Sequence, residues 1–238
     1  MTTHFLLAEW NNLIMANYAV PKELLLPYVP NKTQLDSFEG NTYVSLVGFM
    51  FLNTKVLGLS VPMHVNFEEV NLRFYIKYND RGVWKRGVVF IKEIVPKMAI
   101  SFVANNVYGE KYATMKMKHF HSDNGENFEA GYEWNYKNRW NKISAVADKR
   151  SRKIIPGSRE EFFADHYWGY SKYNDTKTYE YHVEHPLWET LKVVSSSVDC
   201  DFGAVYGDKF SFLSHEKPHS VLMTKGSEIR VHHKKSLE

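Results

Sequence analysis

One stretch of the sequence, residues 64–77 (HVNFEEVNLRFYIK), constrains the fold most, because its side chains alternate between two kinds. In a β-strand, successive side chains point to opposite faces. One face would carry four apolar side chains that must look into a core, namely Val70, Leu72, Phe74 and Ile76. The other face would carry four large hydrogen-bonding groups, namely Glu69, Asn71, Arg73 and Tyr75. A solvated strand face rarely holds such an ordered run, so we expect this face to be buried or to bind a ligand.

Further strand-like runs along the chain predict a mainly β fold. They lie at residues 42–52, 85–95, 112–120, 127–135, 140–147, 178–184, 189–194, 201–206, 220–223 and 228–232. Short helices are predicted after Pro21, after Pro96 and from Ser158 to about residue 167. Because strands and helices do not alternate, we predict one domain over residues 1–238, an antiparallel β-barrel or stacked sheets with a few short helices. Gly48, inside an apolar strand, predicts a bulge or a close approach by another backbone or by a ligand.

Composition and charge argue against several classes of protein. The net charge is +3 and no basic stripe runs along an element, so we expect no nucleic-acid partner. No run reaches 18 apolar residues, and the first residues lack a charged segment and a cleavage site, so we expect neither a membrane span nor a signal peptide. The single cysteine, Cys200, cannot form a disulfide within the chain. A reducing compartment, the cytoplasm, is therefore the expected location.

Several segments, taken in order, resemble the DUF2071 family of uncharacterised proteins, also called YqjF-like. The resemblance runs from about Trp10 to Val231. It rests on the spacing of Glu69, Asn71, Arg73 and Tyr75, on the region VPKELLLPYVPNKTQLDSFEGNTYVSLVGFMF, on PGSREEF, and on the HPLW segment that begins at His185. That family is similar in fold to acetoacetate decarboxylase. The resemblance implies a β-barrel-like core with a central cavity.

The resemblance also implies a lysine that forms a Schiff base with a β-keto acid, supported by Glu and Arg. In acetoacetate decarboxylases this lysine lies in a Gly-Phe-Pro-Lys-Lys type of motif. Residues 107–111 (VYGEK) stand at the matching place, so Lys111 falls on the second lysine position and Glu110 on the first, where the nucleophile is expected. Glu69 is the candidate for the strand glutamate of that family.

The polar strand face allows two interpretations from the residues themselves. Glu69, Asn71 and Arg73 could line a cavity, where the guanidinium binds a carboxylate with two parallel bonds and Glu69 carries a proton. Alternatively, Glu69 and Arg73 form a buried ion pair that satisfies itself. Tyr75 and His185 are further candidates for ligand contact. The histidines at 119, 121, 182, 185, 232 and 233 have no partners at a recognised metal spacing, so neither a metal nor another cofactor is expected.

These observations predict that the chain holds a small anionic or carbonyl-bearing molecule, such as a carboxylate, in a cavity lined by Glu69, Asn71 and Arg73. The first alternative is an enzyme of the Schiff-base lyase or decarboxylase kind, acting on a keto acid through Lys111. The second alternative is a structural or protein-interaction role, marked by an exposed apolar patch without a concave site.

Overall fold

The computed structural model describes residues 4–98, 101 and 111–237. Within these residues, fourteen strands belong to one mostly antiparallel sheet. The strands are β1 Leu6–Val20, β2 Gln34–Leu35, β3 Thr42–Val56, β4 Phe67–Asp80, β5 Val83–Val95, β6 Tyr112–Thr114, β7 Lys116–Asp123, β8 Asn127–Tyr136, β9 Arg139–Lys153, β10 Trp168–Lys172, β11 Thr178–Glu184, β12 Glu189–Asp199, β13 Ser220–Val231 and β14 Lys235–Ser236. The α-helices are α1 Lys22–Leu25, α2 Arg159–Ala164 and α3 Phe202–Tyr206, with 3₁₀ turns at Leu26–Tyr28 and Asp208–Ser214.

The predicted strand at residues 64–77 becomes β4, which lies in the middle of the sheet between β3 and β5. The strands follow the order β14-β11-β10-β5-β4-β3-β1-β13-β12-β9-β8-β7, while β2 pairs with β4 and β6 with β5. A register shift against β5 falls between Leu72 and Arg73. The predicted mainly β class is confirmed, and the fold is one folded sheet and not a closed barrel.

The apolar face of β4 packs into the larger of two main hydrophobic cores. All four predicted residues of that face are 0% exposed and share this core with side chains of β8 and β9, namely Tyr132, Trp134 and Ile143. The sheet therefore folds back, so that β8 and β9 cover β1, β3 and β4. Gly48 makes this close packing possible: a Cβ there would lie 2.6 Å from the Tyr132 ring. The close approach at Gly48 thus comes from a side chain, whereas the sequence predicted another backbone or a ligand.

The opposite face of the same strands packs on a second core, which contains the helix α2. Ser158 caps this helix as predicted, since its Oγ accepts a hydrogen bond from the Glu161 backbone N–H at 3.3 Å. The helix ends at Ala164, three residues earlier than expected. Phe162 and Phe163 are buried and contact Tyr43 and Tyr75, which fixes α2 against β3 and β4.

Two further predicted segments are not found as predicted within the described residues. The strand predicted at residues 201–206 is wrong: this segment is α3, because the Asp201 carboxylate caps the helix by accepting from the Ala204 N–H at 2.9 Å. A Gly207 with positive φ (112°) ends it. The helix predicted after Pro96 falls mainly on residues outside the described ranges. Across the described residues, no helix is long and apolar enough to cross a membrane.

The sheet has a short seam where β11 meets β13. Only two residue pairs join these strands, Val183↔Val231 and Glu184↔Arg230. By comparison, β1 and β13 are joined by eleven pairs. The backbone N–H of His232 extends the seam by donating to the carbonyl of His182 at 2.9 Å.

Candidate functional site

The polar face of β4 borders a cavity of about 270 Å³. Strands β1, β3, β4, β5, β10 and β11 supply most of its wall. The wall divides into a polar part and a larger apolar part. The polar side chains are Thr54, His64, Glu69, Asn71, Arg73, Glu93, Tyr112, His166, Tyr181 and His185.

Aromatic rings dominate the apolar part of the cavity. Phe51 stacks on Phe67 with ring centroids 4.8 Å apart, and Trp10 packs edge-on against Phe49 at 5.3 Å. Alternation along β3 explains the arrangement, because Phe49 and Phe51 lie two residues apart and therefore share a face. Trp188, from the HPLW segment, packs against Trp10 at 6.0 Å. Such a wall favours a ligand with an apolar group.

Glu69 lies at the centre of the polar part and is 2% exposed. Its Oε1 accepts a hydrogen bond from Asn71 Nδ2 at 2.9 Å, and its Oε2 accepts one from the Tyr112 hydroxyl at 3.0 Å. Burial raises the pKa of Glu69 to about 7, against the lowering effect of these two hydrogen bonds and of Arg73. At neutral pH the carboxyl group is therefore divided between its protonated and ionised forms, which suits a proton carrier.

Arg73 has no carboxylate partner within the described residues. Its guanidinium is nevertheless buried, with the residue 8% exposed. One Nη donates to the carbonyl of Phe163 at 3.4 Å and lies 3.6 Å from the sulfur of Met15, while the buried Nε has no hydrogen-bond partner. The alternative of a closed Glu69–Arg73 ion pair is therefore not observed. The guanidinium retains donors for a further acceptor.

Two histidines complete the polar part of the wall. His166 is buried, and neither of its ring nitrogens has a hydrogen-bond partner within the described chain. Burial, followed by the charges of Arg86 and Arg73, holds the pKa of His166 well below its usual value, so the imidazole is neutral. His185 lies between the rings of Tyr167 (4.7 Å) and Trp188 (4.3 Å). Both of its ring nitrogens contact backbone oxygens, those of Pro186 and His166. His185 therefore offers a ligand the surface of its ring and not a hydrogen-bond donor.

Tyr75, the fourth residue of the polar face, lies behind the cavity. Its hydroxyl is hydrogen-bonded to Ser45 Oγ at 2.5 Å, and its ring contacts His166 at 4.7 Å. The Arg73 guanidinium lies 5.8 Å above the same ring. Tyr75 is therefore placed to hold Arg73 and His166 in position and does not line the cavity.

Lys111 is exposed and lies away from the cavity. Its ammonium lies 5.2 Å from the centre of the Tyr28 ring, while its backbone carbonyl accepts from the N–H of Glu93. Every lysine of the chain falls within the described ranges, and none lines the cavity. The predicted amine nucleophile is thus not brought to the predicted Glu69 and Arg73.

The sequence analysis did not single out six residues of the polar wall, namely Thr54, His64, Glu93, Tyr112, His166 and Tyr181. Glu93 had a signal, because it interrupts an otherwise apolar strand and is 2% exposed in the fold. Tyr112 had no such signal in the sequence. It reaches Glu69 because β6 runs parallel to β5, which places Tyr112 opposite Glu93. His166 precedes a run of aromatic residues, YWGY, which gives no local sign of a buried polar group.

The whole fold is similar to solved structures of the acetoacetate-decarboxylase class. A crystal structure of acetoacetate decarboxylase from Legionella pneumophila subsp. pneumophila str. Philadelphia 1 superposes with a TM-score of 0.67, 12% identity, and coverage of 100% of this chain and 90% of that one. The enduracididine biosynthesis enzyme MppR complexed with pyruvate gives a TM-score of 0.66 at 12% identity, covering 100% and 92%. At such identity the likeness shows the fold alone: an acetoacetate-decarboxylase-like sheet around a cavity.

Within that fold class, the chain belongs to the DUF2071 family, described as uncharacterized conserved proteins, which matches residues 7–228. It is also 33% identical over 73 residues to the uncharacterized protein YqjF of Bacillus subtilis (strain 168). That match covers 30% of this chain and 30% of the relative. The resemblance inferred from the polar strand and the HPLW segment is confirmed.

Proposed function

We propose that the chain binds a small carboxylate or carbonyl compound that carries an apolar group. The observation that supports this most is Arg73, a buried guanidinium on the cavity wall without a carboxylate partner in the described part of the chain. Burying a charge without a partner is unfavourable. A ligand carboxylate would supply the missing acceptors and bind the planar guanidinium through two parallel hydrogen bonds.

Glu69 makes this binding dependent on pH. In its protonated form the carboxyl group can donate a hydrogen bond to a ligand oxygen, whereas in its ionised form it repels an anion. Because burial raises its pKa to about 7, we expect an anionic ligand to bind more weakly as pH rises through neutrality. The neutral His166 and the Asn71 amide offer further hydrogen bonds to a carbonyl or carboxylate.

The aromatic part of the wall defines the rest of the ligand. Phe49, Phe51 and Phe67 line the cavity with apolar rings, so a phenyl or short alkyl group gains by burial there. MppR, a neighbour in fold, is complexed with pyruvate, a keto acid. Keto acids and simple carboxylates with an aromatic substituent are therefore the first compounds to test.

The Schiff-base alternative requires Lys111 to reach the cavity from its position above Tyr28. Since no lysine lines the cavity in the described structure, binding without a covalent adduct is the better-supported proposal. A purely structural or interaction role is less favoured. It predicts an exposed apolar patch without a concave site, whereas this chain has a cavity.

Calorimetric titration of pyruvate, phenylpyruvate, phenylacetate and benzoate into the parent protein and an Arg73→Gln variant tests the proposal. We expect the phenyl compounds to bind more tightly than pyruvate. The variant should bind each compound at least about tenfold more weakly, because it lacks a charge-assisted hydrogen bond. Arg86→Gln is the matched control: Arg86 also lies on a central strand, but it pairs with Asp36 at 2.7 Å and does not line the cavity. Equal affinity of the parent and the Arg73 variant would reject the carboxylate site.

A further inference from the structure

Two histidines and a glutamate meet on the outer face of the seam between β11 and β13. His182 and Glu184 lie two residues apart on β11 and therefore share a face, opposite to the face whose Tyr181 and Val183 line the cavity. His232 follows the last residue of β13, and its backbone N–H donates to the His182 carbonyl at 2.9 Å. The strand pairing thus brings together side chains that are fifty positions apart in the sequence.

The three side chains converge on one carboxylate oxygen. Glu184 Oε1 lies 2.5 Å from His232 Nε2 and 4.0 Å from His182 Nδ1. The two imidazole rings are stacked with centroids 5.3 Å apart and an interplanar angle of 22°. One nitrogen or oxygen from each residue lies within 4.8 Å of the others. Donors around a zinc ion lie about 3.4 Å apart at bond lengths near 2 Å, so a small rotation of partly exposed side chains completes the geometry.

Arg230 orients the carboxylate of this cluster. Its Nη1 approaches the other carboxylate oxygen, Glu184 Oε2, at 3.8 Å, which leaves Oε1 turned to the two imidazoles.

A fourth nitrogen lies at the edge of the cluster. The ring of His4 packs edge-on against His232 with centroids 4.8 Å apart. Its buried Nδ1 has no hydrogen-bond partner among the described residues. A backbone hydrogen bond from Phe5 to the Val231 carbonyl, at 2.8 Å, fixes the N-terminal segment at this place.

We propose that His182, Glu184 and His232 bind a divalent transition-metal ion, such as Zn²⁺. Imidazole nitrogen and carboxylate oxygen are a usual ligand set for Zn²⁺, Ni²⁺ and Cu²⁺, and unlike that for Mg²⁺. The ion would join β11 to β13 where only two residue pairs hold them together. It would thereby stabilise one wall of the cavity from outside. This proposal does not depend on what the cavity binds.

The test is calorimetric titration of untagged protein with Zn²⁺ and with Mg²⁺, together with Co²⁺ absorption in the visible range. We expect one saturable Zn²⁺ site per chain, no comparable Mg²⁺ binding, and a higher melting temperature with Zn²⁺, since a ligand of the folded state stabilises it. His182→Gln and His232→Gln should each weaken Zn²⁺ binding by at least about tenfold, because even outer partners of metal ligands contribute that much.

His119→Gln is the matched control. His119 also contacts a glutamate, Glu68, at 2.6 Å, but it belongs to no cluster of three such groups in the described residues. The control should leave Zn²⁺ affinity unchanged. Melting curves without metal establish that each variant is folded. Absence of a saturable site in the parent, or equal affinity in the parent and both seam variants, would overturn the proposal.

Discussion

The two faces of β4 are equally hidden from solvent but differ in how well their groups are satisfied. Val70, Leu72 and Phe74 are 0% exposed and surrounded by apolar side chains. Across the strand, Glu69 and Arg73 are 2% and 8% exposed, yet the carboxyl group has a raised pKa and the guanidinium has a donor without a partner. Burial of the apolar face stabilises the fold. Burial of the polar face leaves the carboxyl and guanidinium groups able to interact with a ligand.

Removing a ring from the apolar face should have the largest effect. Phe74→Ala is expected to lower the free energy of unfolding by about 3–5 kcal/mol, because it removes buried apolar surface and leaves a cavity. Chemical denaturation of parent and variant measures the loss. Phe212→Ala, at a position 39% exposed, is the control and should change stability by less than about 1 kcal/mol. Similar values for both variants would mean that this face is not a close-packed core.

Glu69→Gln should change how the unfolding free energy depends on pH, because burial disfavours the ionised carboxylate of Glu69. The folded-state pKa of about 7 lies above the ordinary glutamate value of 4.5, so the stability contributed by the protonated form is complete below about pH 4.5 and lost as pH rises through 7. Glutamine cannot ionise. Relative to the parent, the variant should therefore gain roughly 2–3 kcal/mol in unfolding free energy between pH 5 and pH 8. A difference that is flat across this range would place the pKa of Glu69 near its usual value.

Arg73→Gln should alter stability far less than Phe74→Ala, although both side chains are buried. Because the guanidinium lacks a carboxylate partner, we expect a change in unfolding free energy within about 1 kcal/mol of the parent. The same denaturation experiment compares the two variants. A loss as large as that of Phe74→Ala would show that Arg73 serves the fold, and the two faces of β4 would then be alike.

The smallest expected effect concerns Lys111, which belongs to neither face. Treatment with borohydride in the presence of pyruvate should leave the mass of the peptide containing Lys111 unchanged, because its ammonium lies over Tyr28 and outside the cavity. Mass spectrometry of the digested protein measures this. A reduced adduct at Lys111 would instead restore the lyase alternative.

The alternation along β4 was sufficient to predict both its faces, since a strand with one apolar face has only one stable register. Capping by Ser158 was also visible, because the cap and its Glu161 are neighbours in sequence. The helix α3 was missed, since its short apolar segment fits either a strand or a helix and only the cap at Asp201 decides between them. His182 and His232 could not be joined in advance, because pairing between distant strands has no local signal.

Gly48 also bears on the order in which the chain assembles. β7, β8 and β9 are sequence neighbours joined by hairpins, whereas docking of Tyr132 on Gly48 joins segments far apart in the chain. Local contacts form earlier than distant ones, because closing a long loop loses more entropy. The hairpins should therefore exist before they meet β3. A methyl group at position 48 would then hinder the late docking step and leave the early hairpins intact.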